Sequence, residues 1–157
     1  MKLWIKIVIG IAVVLAVFTG IVLYLSQFHL DFSQDYRNID GYEKIVFKDS
    51  RSNRCFHLCA WGLVKTDDPA GFEDHRNPDK TSNEYRFLVE TANVREGDIW
   101  QIVPSPDGRY ILYAVKIYSG SGLTDDENVY YKVYSIEDGT AITVYSGYRQ
   151  YFLVDWK

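Results

Sequence analysis

The chain has 157 residues, 17 Lys plus Arg against 21 Asp plus Glu for a formal net charge of −4, and 47% hydrophobic residues. That is one domain's worth of chain with ample apolar and aromatic material for a core, which excludes intrinsic disorder; two cysteines exclude a disulfide-dense miniprotein. The acidic balance and the lack of a Lys/Arg run argue against a nucleic-acid partner, whose phosphates would need a basic face.

Residues 1–6 form a short tip carrying Lys2 and Lys6. Residues 7–25 are almost wholly Ile, Val, Leu, Ala, Phe and Gly, and no side chain from Ile7 to Phe28 is charged at neutral pH. Such a run, as a helix, rises about 28 Å, roughly one hydrocarbon core, whereas a cleaved signal peptide has an apolar region of roughly 7 to 15 residues and an Ala-x-Ala-like site. The expectation is an uncleaved transmembrane signal anchor over 7–25, with no cysteine before Cys55 for lipid attachment. Lys2 and Lys6 precede the run and Asp31 and Asp35 follow it, which places the N-terminus in the cytoplasm and the rest outside. Ala12, Ala16 and Gly20 recur every four residues on one helical face, a small-residue pattern for packing against a second copy or a partner's membrane helix.

Residues 26–40 read as a stalk, with Phe28, Leu30 and Phe32 at the interface. Residues 41–157 then show β-branched and aromatic segments separated by turn chemistry: 42–48, 54–65, 84–91, 99–103, 109–118, 129–136, 141–145 and 151–156. This predicts an all-β domain, an antiparallel sheet or small sandwich of blade-like hairpins. In 109–118, Ile111, Tyr113, Val115 and Ile117 alternate with Tyr110, Ala114, Lys116 and Tyr118, predicting one buried face. Segment 54–65 reads as strand, though Cys55, Leu58, Cys59 and Gly62 also suit a helical stripe. Residues 66–83 and 119–128 are long loops.

Ser105-Pro106-Asp107-Gly108 is a turn signal: Pro presets φ, Asp caps locally, and Gly supplies freedom at the last position. With Arg109 and the following Ile111-Leu112-Tyr113, it resembles the signature of the WD40-like, Pro-Asp-Gly β-propeller blade found in TolB-like proteins. Residues Val129 to Tyr134 with Asp138-Gly139 are similar to that blade's third strand and turn, and 152–156 resembles the opening strand of a following blade. The resemblance covers roughly the last third of the chain and implies architecture, with binding as the associated activity and no catalytic residue to carry over. Pro104 replaces the usual aromatic before the turn and one copy is present, so a closed propeller is not expected.

The candidate chemistry is sparse. Cys55 and Cys59 in a regular strand stand about 13 Å apart, too far to pair with each other, and read as free buried thiols; with His57 they invite a zinc reading that the same distance disfavours. Asp67, Asp68, Glu73 and Asp74, and Asp125, Asp126 and Glu127, offer oxygen ligands for a cation, which makes the second trio metal candidates, but without EF-hand spacing solvated loops and no metal are expected. His75 beside Glu73 and Asp74 has no nucleophile motif with it. Tyr130, Tyr134 and Tyr148 are the binding candidates if they share an exposed face. No cofactor and no enzyme activity is expected; the reading is a single-pass, extracytoplasmic binding, accessory or sensor domain, with an envelope hydrolase using the acidic loops and His75 as the alternative. The absence of any Asn-x-Ser/Thr motif agrees with a bacterial envelope.

Overall fold

The computed structural model describes residues 2–26, 36–67, 69–119 and 126–157. Helix α1 spans Lys2–Ser26. Its described side chains are Trp4 and those of residues 10–21, all exposed. Among the described residues no helix is long and apolar enough to cross a membrane. The membrane span expected over 7–25 therefore rests on the sequence alone.

Two four-stranded antiparallel sheets follow. The first contains β1 (Ile45–Asp49), β2 (Cys55–Cys59), β3 (Gly62–Thr66) and β8 (Phe152–Trp156), in the order β3-β2-β1-β8. The second is a meander of β4 (Ile99–Pro104), β5 (Tyr110–Ser119), β6 (Asp126–Ser135) and β7 (Thr140–Tyr148), in that order. Segment 54–65 is thus a hairpin, with Cys59 opposite Gly62. The strands β5 and β6 run to Ser119 and Asp126, shortening the expected 119–128 loop.

One predicted strand is a helix. Residues 84–91 alternate Tyr85, Phe87 and Val89 with Arg86, Leu88 and Glu90, a period-2 pattern, yet Asn83–Glu90 forms α2. The N-cap decides: the Ser82 hydroxyl accepts the Tyr85 N–H at 3.1 Å, and Tyr85 and Leu88, three apart, turn inward together.

The main core lies between the sheets, where Ile45, Phe47, Leu112, Tyr131, Tyr145 and Val154 are buried. Phe47 meets the edges of Tyr131, Tyr145 and Phe152 at centroid distances of 5.4, 6.0 and 5.9 Å. A second core forms where α2 covers the other face of the meander, joining Tyr85 and Leu88 to Ile111, Tyr113, Val115 and Tyr134. Strand β5 is therefore buried on both faces, correcting the expectation of one; the uninterrupted apolar run Ile111 to Val115 is the pattern of a doubly covered strand.

The edge strands β4 and β8 are neighbours across the sandwich. A bulge at Ile99/Gln101 interrupts the β4 ladder, and Gln101, fully buried, carries its amide to β8, donating to the Phe152 carbonyl at 2.8 Å and accepting the Val154 N–H at 3.0 Å. The Tyr131 hydroxyl accepts the Phe152 N–H at 2.6 Å. Side chains thus satisfy the strand edge that no backbone partner covers.

Candidate functional site

The turn joining β1 to β2 and the turn joining β7 to β8 flank one cavity of about 260 Å³. Pairing of β1 with β8, which sets Asp49 opposite Phe152, brings the two turns together. Arg51 and Arg54 come from the first turn and Arg149 from the second; Phe56 and Tyr151 supply aromatic walls. The first turn is fixed by Asp49, whose carboxylate accepts the Arg51 N–H at 2.9 Å and the Ser52 hydroxyl at 2.6 Å. Burial pushes that carboxyl up, but these donors outweigh it and hold it below its ordinary value. Asn53 closes the turn at φ 54°, a left-handed conformation that asparagine tolerates.

The second turn places Arg149 at φ 49° and anchors its N–H on the Glu127 carbonyl at 3.0 Å. Tyr151 is held from behind: its hydroxyl donates to Glu127 Oε2 at 2.5 Å, its ring meets the edge of Trp100 at 5.6 Å, and the Lys116 ammonium lies 5.0 Å from its centroid. The hydrogen bond to Glu127, chiefly, pushes the Tyr151 hydroxyl up to about 12, so it stays a neutral donor at physiological pH.

A second constellation surrounds Asp155 on β8, which is 3% exposed. Its carboxylate receives His75 Nε2 at 3.2 Å, Lys157 Nζ at 2.5 Å and the N–H groups of Glu73 and Trp156 at 3.0 and 2.8 Å. Burial alone would raise this carboxyl; the four donors together hold it below the usual range. The histidine's carboxylate partner is therefore Asp155, 80 positions away, rather than Glu73 or Asp74. Asp74 instead binds the Arg76 guanidinium and N–H. His75 and Ser82 line one open depression, but the Ser82 hydroxyl is occupied by the helix cap.

The three candidate tyrosines do not form one exposed face. Tyr134 is 5% exposed, its ring 5.3 Å from Phe87 of α2, and Tyr130 packs beside the same core; the side chain of Tyr148 lies outside the described residues. Of the acidic trio, Asp125 and the side chain of Asp126 lie outside the described residues, and Glu127 faces Tyr151 and Lys116. Asp68 also lies outside them, while Asp67 is exposed. Among the described residues no group of three His, Cys, Asp or Glu side chains converges to hold a metal. Cys55 and Cys59 on β2 form no disulfide; Cys55 is buried as expected but Cys59 is only half-buried, and His57 between them is paired opposite Val46 and Val64. Ala12, Ala16 and Gly20 lie in the exposed part of α1, and the stalk residues Phe28, Leu30 and Phe32 lie outside the described residues.

The Ser105-Pro106-Asp107-Gly108 turn closes the β4–β5 hairpin. Ser105 donates to Asp107 Oδ1 at 2.6 Å and accepts the Tyr110 N–H, and Gly108 sits at φ 72°. The Ser105 hydroxyl, then the Arg109 N–H and guanidinium, hold Asp107 down at about 2. Arg109 reaches on to Asp40 at 2.5 Å, tying the turn to the segment that enters the domain.

The arginine-lined cavity is a pairing that sequence reading missed, because its residues come from positions 51, 54 and 149 and no local motif joins them. Comparison with known proteins finds no matching family model, no similar curated protein and no similar solved structure.

Proposed function

We propose that this protein is a single-pass, membrane-anchored, extracytoplasmic β domain that acts by binding, as an accessory or sensor subunit. The observation that carries the reading is α1. Ile11, Val13, Val14, Leu15, Val17, Phe18 and Ile21 point around the helix and are each 51–67% exposed, a surface that water does not tolerate on every side. The Thr19 hydroxyl turns back to the Leu15 carbonyl at 2.8 Å, which satisfies the hydroxyl within its own helix, as hydrocarbon demands. Lys2 and Lys6 support a cytoplasmic N-terminus.

The blade resemblance is supported by strand order. Strands β4 to β7 run as a four-stranded meander, and β8 takes the edge position ahead of β1, β2 and β3, the place of an opening strand. We read the sandwich as two such units meeting along β4 and β8, with its concave sites at the turns. The test is fractionation of the full chain: it stays with the membrane in alkaline wash, and protease added outside intact spheroplasts removes the β domain while a tag on the N-terminal tip survives. Recovery in the wash, or protection of the β domain, overturns the reading.

A second reading, an envelope hydrolase, is favoured by the His75–Asp155 hydrogen bond, since a buried carboxylate orienting an imidazole is how a general base is positioned. Turnover of ester, phosphoester or glycan substrates that His75→Ala abolishes would establish it over binding alone.

A further inference from the structure

We propose that the cavity between the β1–β2 and β7–β8 turns binds a phosphate monoester, either a soluble organic phosphate or a lipid headgroup of that chemistry, through Arg51, Arg54 and Arg149. The cavity opposes the charge of its own molecule: the chain carries a net −4, yet the lining has three arginines against one acid, two positive charges in excess. That one acid, Asp49, has its carboxylate engaged by the Arg51 N–H and the Ser52 hydroxyl of its own turn. The Arg51 charge also helps to hold the Asp49 carboxyl down, and the lining stays cationic overall. Guanidinium forks match the oxygens of phosphate and carboxylate alike, but a phosphate monoester carries about −1.5 to −2 at pH 7 and so matches the excess, which a monocarboxylate does not.

Two further features fit an organic phosphate. Phe56 and the clamped Tyr151 ring offer an apolar wall beside the cations. Arg149 occupies the left-handed region at φ 49°, which a non-glycine side chain adopts at a cost, and such strain gathers where a side chain is held for a ligand.

The test uses the full chain in an uncharged detergent. Titration calorimetry with phenyl phosphate probes a soluble ester; mixed micelles of the same detergent with phosphatidic acid probe a lipid headgroup. Saturable binding of either probe is expected, weakened about tenfold by Arg51→Gln or Arg54→Gln. Arg149→Asn is the third variant, because asparagine accepts φ near 50° and keeps the turn while removing the charge. Unfolding midpoints equal to wild type in these variants separate lost binding from lost folding. Binding of only one probe identifies the source and supports the proposal. Binding of neither, affinity unchanged in all three variants, or benzoate held as tightly as phenyl phosphate would overturn it. None of these outcomes depends on where the protein resides, so the anchor reading is tested separately.

Discussion

The amide of Gln101 replaces a missing strand for Phe152. On the open edge of β8, the Phe152 carbonyl and the Val154 N–H would pair with a further strand in a larger sheet; here one side chain supplies both the donor, at 2.8 Å, and the acceptor, at 3.0 Å. Gln101→Leu keeps the volume and removes both partners, leaving the buried Val154 N–H unpaired and the Phe152 carbonyl with the Tyr131 hydroxyl at 3.1 Å alone. The expected loss is about 2 to 4 kcal/mol, about 1–3 kcal/mol for the orphaned N–H and about 1 kcal/mol for the bond lost at the carbonyl. Urea unfolding of the full chain in detergent checks it; a midpoint within error of wild type would mean that the β8 edge finds other partners.

Tyr131 completes the same edge. Its hydroxyl accepts the Phe152 N–H at 2.6 Å and lies 3.1 Å from the carbonyls of Gln150 and Phe152. Tyr131→Phe preserves the ring contacts with Phe47 and Phe152 and deletes only the hydroxyl, with an expected cost of about 1 to 3 kcal/mol. Because each side chain leaves the other as a donor to the Phe152 carbonyl, the Gln101→Leu, Tyr131→Phe double variant should lose more than the two singles combined. Strict additivity in the same unfolding assay would show that the two bonds act independently.

These two residues also show what was legible in the sequence. The hairpins were, because turn residues such as Ser105, Asp107 and Gly108 write their geometry locally. The Gln101 contact was not: a polar residue within Ile99-Trp100-Gln101-Ile102-Val103 reads as the outward position of an alternating strand, and only a bulge plus a neighbouring strand 51 positions away turns it inward. The helix α2 was misread because eight residues hold too few turns to separate period 2 from period 3.6, and the cap at Ser82 carried the missing information. Reading 84–91 as a strand leaves Tyr134 on a candidate surface, whereas α2 covers it and makes it core. His75–Asp155 and the three-arginine cavity depend on β8 returning to pair with β1, a long-range pairing that no motif announces.

Acid should loosen the β8 end of the domain. A carboxyl whose folded pKa lies below its unfolded one adds stability above the unfolded value and loses it as pH falls through the folded value. Asp155 and Asp107 both have lowered values, Asp107 at about 2 from an ordinary 3.8. The stability of wild type should therefore be flat from neutral pH down to about 5 as far as these groups are concerned, then decline from about pH 4. Asp155→Asn should be less stable at pH 7, because His75, Lys157 and two N–H groups lose a charged acceptor, and its decline below pH 4 should be shallower. Thermal melts from pH 3 to pH 7 read both slopes; parallel curves would show that Asp155 does not contribute to the acid transition.

At Gly108 the turn asks for backbone freedom alone. Its φ is 72°, and a Cβ built there meets no atom within 4 Å, so a substituent costs nothing in steric contact with the rest of the fold. What it costs is the left-handed conformation itself, about 1 kcal/mol for Gly108→Ala and more for the β-branched Gly108→Val. The turn cannot readily relax to another φ, because the Gly108 N–H bonds the Ser105 carbonyl at 2.9 Å while Arg109 and Tyr110 are held by Asp107 and Ser105 on either side. Gly108→Asn should fall between wild type and Gly108→Ala, since asparagine enters that region with the least penalty among side-chain-bearing residues. Urea midpoints should follow the order Gly, Asn, Ala, Val with an unchanged slope. An alanine variant as stable as wild type would mean that the β4–β5 hairpin adopts a different turn.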